Sequence, residues 1–143
     1  AERKGLAGRY SYIGPRSDVP DVLRSLDILV LASERNKEAF PRIIVEAMAC
    51  GLPVLATAVA GVPEAVVDGE TGLLVEPEDL DSFVDALRIL VTDAELRRRY
   101  GAAAVARCHA LFSMEANTAA IEQVYRSVTA KRSAQQDHVS SFA

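Results

Sequence analysis

The chain has 143 residues, 16 Lys and Arg against 20 Asp and Glu, and a formal net charge of -4. At roughly 100–200 residues per domain this length suits one globular unit. A content of 50% hydrophobic and 25% charged residues excludes a disordered, collagen-like or disulfide-rich chain. The acidic balance also argues against a nucleic-acid or anionic-membrane surface, because both require concentrated Lys and Arg.

In chain order, four short apolar runs alternate with helical patterns. Arg9–Ile13, Ile28–Ala32, Val54–Ala58 and Gly72–Val75 are strand-length and mostly continuous rather than alternating, as expected for strands buried on both faces. Between the first two, Val19, Val22, Leu23 and Leu26 form one face of a short helix, with Asp18 as N-cap and Pro20 in the first turn. Between the second and third, a helix over 42–50 ends at Gly51 and Pro53. Pro63–Val67 makes a short helix before the turn at 68–72.

Beyond Val75 the pattern is wholly helical. Leu80, Phe83, Val84, Leu87, Leu90 and Val91 make an inward stripe, and Thr92-Asp93-Ala94-Glu95 reads as a capping box for the next helix, with Leu96, Tyr100, Ala104, Cys108 and Leu111 inward. Arg97-Arg98-Arg99, the one basic run, reads as a solvated face of that helix. Ser113 caps a last helix over 113–130 with Ile121, Val124, Tyr125 and Val128 inward, and 131–143 reads as a frayed polar tail. The fold class is α/β: a Rossmann-like parallel sheet over 1–112 with flanking helices and a helical C-terminal segment.

Cys50 and Cys108 lie in Ala-rich helical stretches without metal-ligand spacing, which predicts small buried thiols in a reducing compartment. No apolar stretch reaches the ~18 residues needed to cross a bilayer, and no signal peptide opens the chain. Cytoplasmic placement is the expectation. Ala1 opens what reads as mid-protein sequence, so a fragment is also expected.

Ligands of an open parallel sheet bind outside the carboxyl ends of its strands. That rule selects the loops 14–17, 33–41 and 57–61. In the middle loop, Pro41 at the first helical position forces Phe40 out of helical geometry and leaves Glu38 above the helix N-terminus. An anion belongs at that terminus. Arg42 and Ile43 are its backbone donors, with the Arg42 side chain as a further charge. Neither a Walker glycine-lysine pattern nor G-x-G-x-x-G occurs, so a phosphate would rest on dipole and amides alone. Glu46 stands alone in a helix with almost no other polar position, and a buried carboxylate needs a partner. It either binds a vicinal diol, as acidic residues bind ribose in nucleotide-binding α/β domains, or pairs with Arg42 one turn away.

Glu38 to Glu46, E-A-F-P-R-I-I-V-E, is an E-x7-E motif that runs into E-A-M-A-C-G-L-P-V and then A-G-V-P-E-A-V-V-D-G-E-T-G-L-L-V. From Tyr12 to about Ser113 this string resembles the donor-binding half of GT-B-fold glycosyltransferases, the retaining group that includes sucrose, trehalose and mannosyl synthases. The resemblance implies a nucleoside-diphosphate-sugar donor, transfer of a hexosyl group to an acceptor hydroxyl with retention, and no metal or other cofactor. It implies Glu38 at the reaction centre on the transferred hexose and Glu46 on the ribose. Backbone from Ala39, Phe40 and Pro41 through Arg42 and Ile43 would cradle sugar and diphosphate, with Gly14 and Arg16 near the base and Gly61 closing the third loop. Where the family usually reads Gly-Phe-Gly, this chain has Ala39-Phe40-Pro41.

The group's upstream Arg and Lys on the diphosphate, and the N-terminal domain that supplies the acceptor site, lie outside this sequence. The chain alone is therefore expected to be inactive. Peripheral membrane association of the parent enzyme is compatible with the resemblance. His109 and His138 match no family position and are assigned to structure or solvent. The alternatives are a nucleotide-sugar epimerase or phosphorylase of the same architecture, and a non-catalytic nucleotide-binding α/β module.

Overall fold

A computed structural model describes residues 5–6, 8–35 and 39–140, with 131–140 described by backbone alone. The element order is α1 (Val19–Arg24), β1 (Leu29–Leu31), α2 (Arg42–Ala49), β2 (Val54–Thr57), α3 (Val62–Ala65), β3 (Gly72–Val75), α4 (Leu80–Thr92), α5 (Ala94–Phe112) and α6 (Met114–Ser140). The strands form one parallel sheet in the order β1-β2-β3, with Leu29 opposite Val54 and Val54 opposite Gly72. Parallel strands need crossovers, and α2 and α3 supply them.

The central strand explains the layering. Every residue of β2 is buried, and alternate side chains serve opposite faces. Val54 and Ala56 pack with Ile44 and Met48 of α2, Val62 and Ala65 of α3, and Ala104 and Cys108 of α5. Leu55 packs on the other face with Val75, Ala86 and Leu90 of α4, and Tyr100 of α5. Ile44, Met48, Leu55 and Leu90 are among the largest fully buried side chains, each contributing about 1.5–3 kcal/mol by removal from water. Because α5 serves both clusters, it ties the two faces together. Its Gly101 lies so close to the Gly51 carbonyl that no Cβ would fit.

Three expected elements take a different form. Residues 9–13 are not a strand: Tyr10, Tyr12 and Ile13 are exposed and pair with neither β1 nor β3. An apolar run reports strand propensity but not whether a ladder partner lies beside it. The α6 helix runs to Ser140 instead of ending near 130, since 114–140 contains no Gly or Pro and is rich in helix formers. Its expected inward residues Ile121, Val124, Tyr125 and Val128 are all exposed. In α4, likewise, Leu80, Val84 and Val91 are exposed while Ala86 and Leu90 carry the burial.

The caps also moved. Asp93, not Thr92, caps α5, its carboxylate accepting from the Leu96 amide at 2.8 Å. Thr92 belongs to α4 and donates its hydroxyl to the Arg88 carbonyl. Ser113 accepts from the Ala116 amide at the start of α6, as expected. Asp18 occupies the N-cap position of α1 but makes no side-chain cap. Within the basic run, Arg98 pairs with Glu95, whereas Arg97 is half-buried and donates to the Leu90 and Val91 carbonyls at the end of α4.

Candidate functional site

The carboxyl ends of β1 and β2 carry two of the loops that sequence reasoning selected, whereas 14–17 follows no strand. Pro41 takes the N-cap position of α2 rather than its first helical position, in extended geometry with φ -77 and ψ 101. Its carbonyl accepts from Ile44. The amides of Arg42 and Ile43 precede any intrahelical acceptor, so they and the positive end of the α2 dipole face outward as donors for an anion. Glu38 lies outside the described residues.

Loops two and three are joined. The Gly61 amide donates to the Ala39 carbonyl at 2.8 Å. A Cβ on Gly61 would stand 2.7 Å from that oxygen and 3.0 Å from the Phe40 ring. Glycine is therefore required here by close approach rather than by its φ of -79. The preceding Ala60 sits in the left-handed region at φ 45, which costs a non-glycine residue about 1–2 kcal/mol. From the other side, the Phe40 ring packs against Phe112 at the end of α5, centroids 5.7 Å apart.

Glu46 is not buried. Its side chain is 42% exposed and pairs with Arg42 at 3.6 Å. The helical wheel overstated burial because Arg42 and Ala49 also face outward, which leaves α2 a solvent arc. Of the two readings of Glu46, the pair with Arg42 is present, yet Arg42 is 89% exposed, and such surface pairs are worth a few tenths of a kcal/mol. The carboxylate thus remains available at the wall of a cleft of about 580 Å³ that Phe40, Arg42, Phe112 and Asn117 also line.

Gly14 and Arg16 lie along a different cleft, which they share with Ile43. Gly14 has a φ of 64, a conformation that favours glycine. Arg16 is held rather than free, its Nε donating to Asp18 at 2.7 Å and Nη2 to the other carboxylate oxygen. This hydrogen-bonded pair raises the Arg16 pKa and lowers that of Asp18, and explains why Asp18 makes no side-chain cap on α1. The candidate residues therefore form two groups at the start of α2, Gly14, Arg16 and Ile43 in one cleft and Phe40, Arg42 and Glu46 in another.

Sequence reasoning missed a third cavity, about 320 Å³, between the ends of all three strands. Ser33, Thr57, Pro77, Leu80 and Phe83 line it, with Glu76 and Glu78 among its carboxylates. The same strand-end rule would have found it had the loop after β3 been included. Across it, the Thr57 hydroxyl donates to the Ser33 carbonyl at 2.6 Å. Also missed was Arg107, whose position one residue before Cys108 on the inner side of α5 was the available signal.

Both cysteines are free, Cys108 buried and Cys50 half-buried. His109 lies in the last turn of α5, where a cation is favourable. The side chain of His138 lies outside the described residues. Among the described residues no group of three or more His, Cys, Asp or Glu could hold a metal ion, and no helix is long and apolar enough to cross a membrane.

Residues 1–107 match the family Glycosyl transferases group 1. D-inositol 3-phosphate glycosyltransferase of Corynebacterium glutamicum (strain R) is 38% identical over 132 residues, 91% of this chain and 31% of its own length. Among solved structures, sucrose-phosphate synthase from Thermosynechococcus elongatus matches with a TM-score of 0.79 at 33% identity, covering 91% of this chain and 33% of that one. Anabaena HepE in complex with UDP matches with a TM-score of 0.81 at 28% identity, covering 88% and 34%, and the same protein has been solved with UDP-glucose. The chain thus spans about a third of the length of these relatives. Since the family match runs through all three strands, α2 and the loops around it, the chain belongs to the glycosyl transferases group 1.

Proposed function

We propose that this chain is the nucleotide-sugar-binding portion of a retaining hexosyltransferase. The observation that carries the proposal is the N-terminus of α2: two outward amides, at Arg42 and Ile43, lie between a cleft walled by Glu46 and a cleft walled by Gly14 and Arg16. A diphosphate placed on the amides would reach sugar, ribose and base subsites from one anchor. The complexes of Anabaena HepE with UDP and UDP-glucose support this reading.

In the intact enzyme the anomeric carbon–oxygen bond to the diphosphate would break while the acceptor hydroxyl bonds the same face of the hexose. The charge then gathers on the leaving diphosphate. Amides and a helix dipole fixed toward that charge stabilise it without reorganising. The hydroxyl proton passes to the leaving phosphate oxygen. Glu38 orients the hexose and Glu46 holds the ribose hydroxyls, and no metal is needed for either role. Relatives about three times as long leave room for the acceptor site elsewhere in the parent protein, so this chain alone binds donor but does not turn it over. The two free thiols fit a cytoplasmic enzyme.

Calorimetric titration with UDP, GDP and ADP tests the binding, one of them being expected to bind. Glu46→Gln should weaken that nucleotide with little change in melting temperature. Unchanged affinity with a lower melting temperature would reduce Glu46 to its pair with Arg42. In the intact enzyme, Glu38→Ala should abolish transfer but keep nucleoside-diphosphate binding; unchanged turnover would remove Glu38 from the reaction centre.

A further inference from the structure

Arg107 lies outside the strand-end loops, on the half-buried side of α5, and two of its guanidinium nitrogens are hydrogen-bonded. Nε donates to the Ala65 carbonyl and Nη2 to the Glu64 carbonyl, both at 2.8 Å. These are carbonyls at the end of α3, a helix of four residues. So short a helix has little cohesion of its own. At its other end, the Gly61 amide donates to the Ala39 carbonyl, directly before Phe40 and the start of α2. Ala60, at φ 45, stores strain in the same turn, and a strained turn persists only where its surroundings hold it.

We propose that Arg107 is a positioning residue for the donor loop. It fastens α3 to α5, and α3 in turn presents the Gly61 amide to Ala39. The same helix touches that loop a second time through Phe112 on Phe40. α5 therefore fixes residues 39–40 at two points, one polar through α3 and one aromatic. Losing the polar point releases the Gly61–Ala39 bond and lets the loop drift away from the α2 amides. The proposal rests on the donor-binding reading for its functional consequence, but not for its geometry.

Arg97 provides a matched control. It makes the same kind of contact, donating to the Leu90 and Val91 carbonyls at the end of α4, on the other face of the sheet. Arg107→Gln, Arg107→Lys and Arg97→Gln are compared in the 143-residue chain by melting temperature, by the amide resonances of Gly61 and Phe40, and by UDP, GDP and ADP affinity. Arg107→Gln should shift the Gly61 resonance, speed its hydrogen exchange and weaken the bound nucleotide roughly tenfold, the size expected for one link in a packed network. Arg107→Lys, which keeps one charged donor, should recover part of each effect. Arg97→Gln should lower the melting temperature and leave the Gly61 resonance and the affinity unchanged. An unmoved Gly61 amide in Arg107→Gln overturns the proposal, as does an equal loss of affinity in both glutamine variants. If the wild-type chain binds none of the three nucleotides, the donor reading fails, while the Gly61 resonance still decides the role of Arg107.

Discussion

Two loops of the site meet at Gly61, and the clearance there is small enough to decide a substitution. Placing a Cβ 2.7 Å from the Ala39 oxygen and 3.0 Å from the Phe40 ring forces one loop to give way. Overpacking of this kind costs about 1–3 kcal/mol. Gly61→Ala should therefore lower stability by that amount in a urea titration and shift the Phe40 amide resonance. Equal stability of variant and wild type would mean that the two loops are not seated on each other. The loop that holds Gly61 was legible in the sequence, because it follows a strand and precedes a short helix. The partner of Gly61 was not, since the contact is to the backbone oxygen of Ala39, which any residue would supply. Glu46 shows the converse failure. Residue types around α2 suggested burial on most sides, but burial depends on which faces have neighbours, and the arc of Arg42, Glu46 and Ala49 has few.

At the scale of elements, what the sequence reports well is the backbone state of a segment with strong periodicity. The runs ending in β1, β2 and β3, and the Gly-then-Pro stop after α2, all match within a residue or two. What it reports poorly is partnership. Residues 9–13 have strand composition and no ladder, and α6 has an apolar stripe that stays exposed beyond its contact with α5. Cap identity falls between these cases, because Thr92 and Asp93 are adjacent and both suit an N-cap. Their hydrogen bonds separate them: Asp93 satisfies an orphan amide of α5, while Thr92 bonds back into α4. Asp93→Ala should cost about 1 kcal/mol, the usual value of an N-cap, and Thr92→Ala distinctly less. A chemical-denaturation comparison of the two variants checks this, and the reverse order would restore the cap to Thr92.

For the molecule as a whole, the seam between α2 and α5 joins the sheet layer to the C-terminal helices. At one end Gly101 lies against the Gly51 carbonyl, and further along Cys108 packs with Ile44 and Met48 while its thiol reaches the Val45 carbonyl at 3.6 Å. Cys108 is only 8% exposed. Burial, with a smaller contribution from Cys50, pushes its pKa up, so the folded chain keeps the proton at pH values where the unfolded chain has released it. More protons bound to the folded than to the unfolded state means that stability falls as pH rises. The effect is absent below the unfolded thiol value of about 8.5 and grows above it until the folded pKa is passed. Melting temperature should therefore decline as pH rises above about 8.5, and decline less steeply in Cys108→Ala. The slope is the measurement that matters, because the substitution also removes packing volume and lowers stability at every pH. Parallel slopes in calorimetric scans of the two chains would mean that the thiol is not sealed in the seam and that α2 and α5 pack less closely than the contacts at Gly101 and Val45 require.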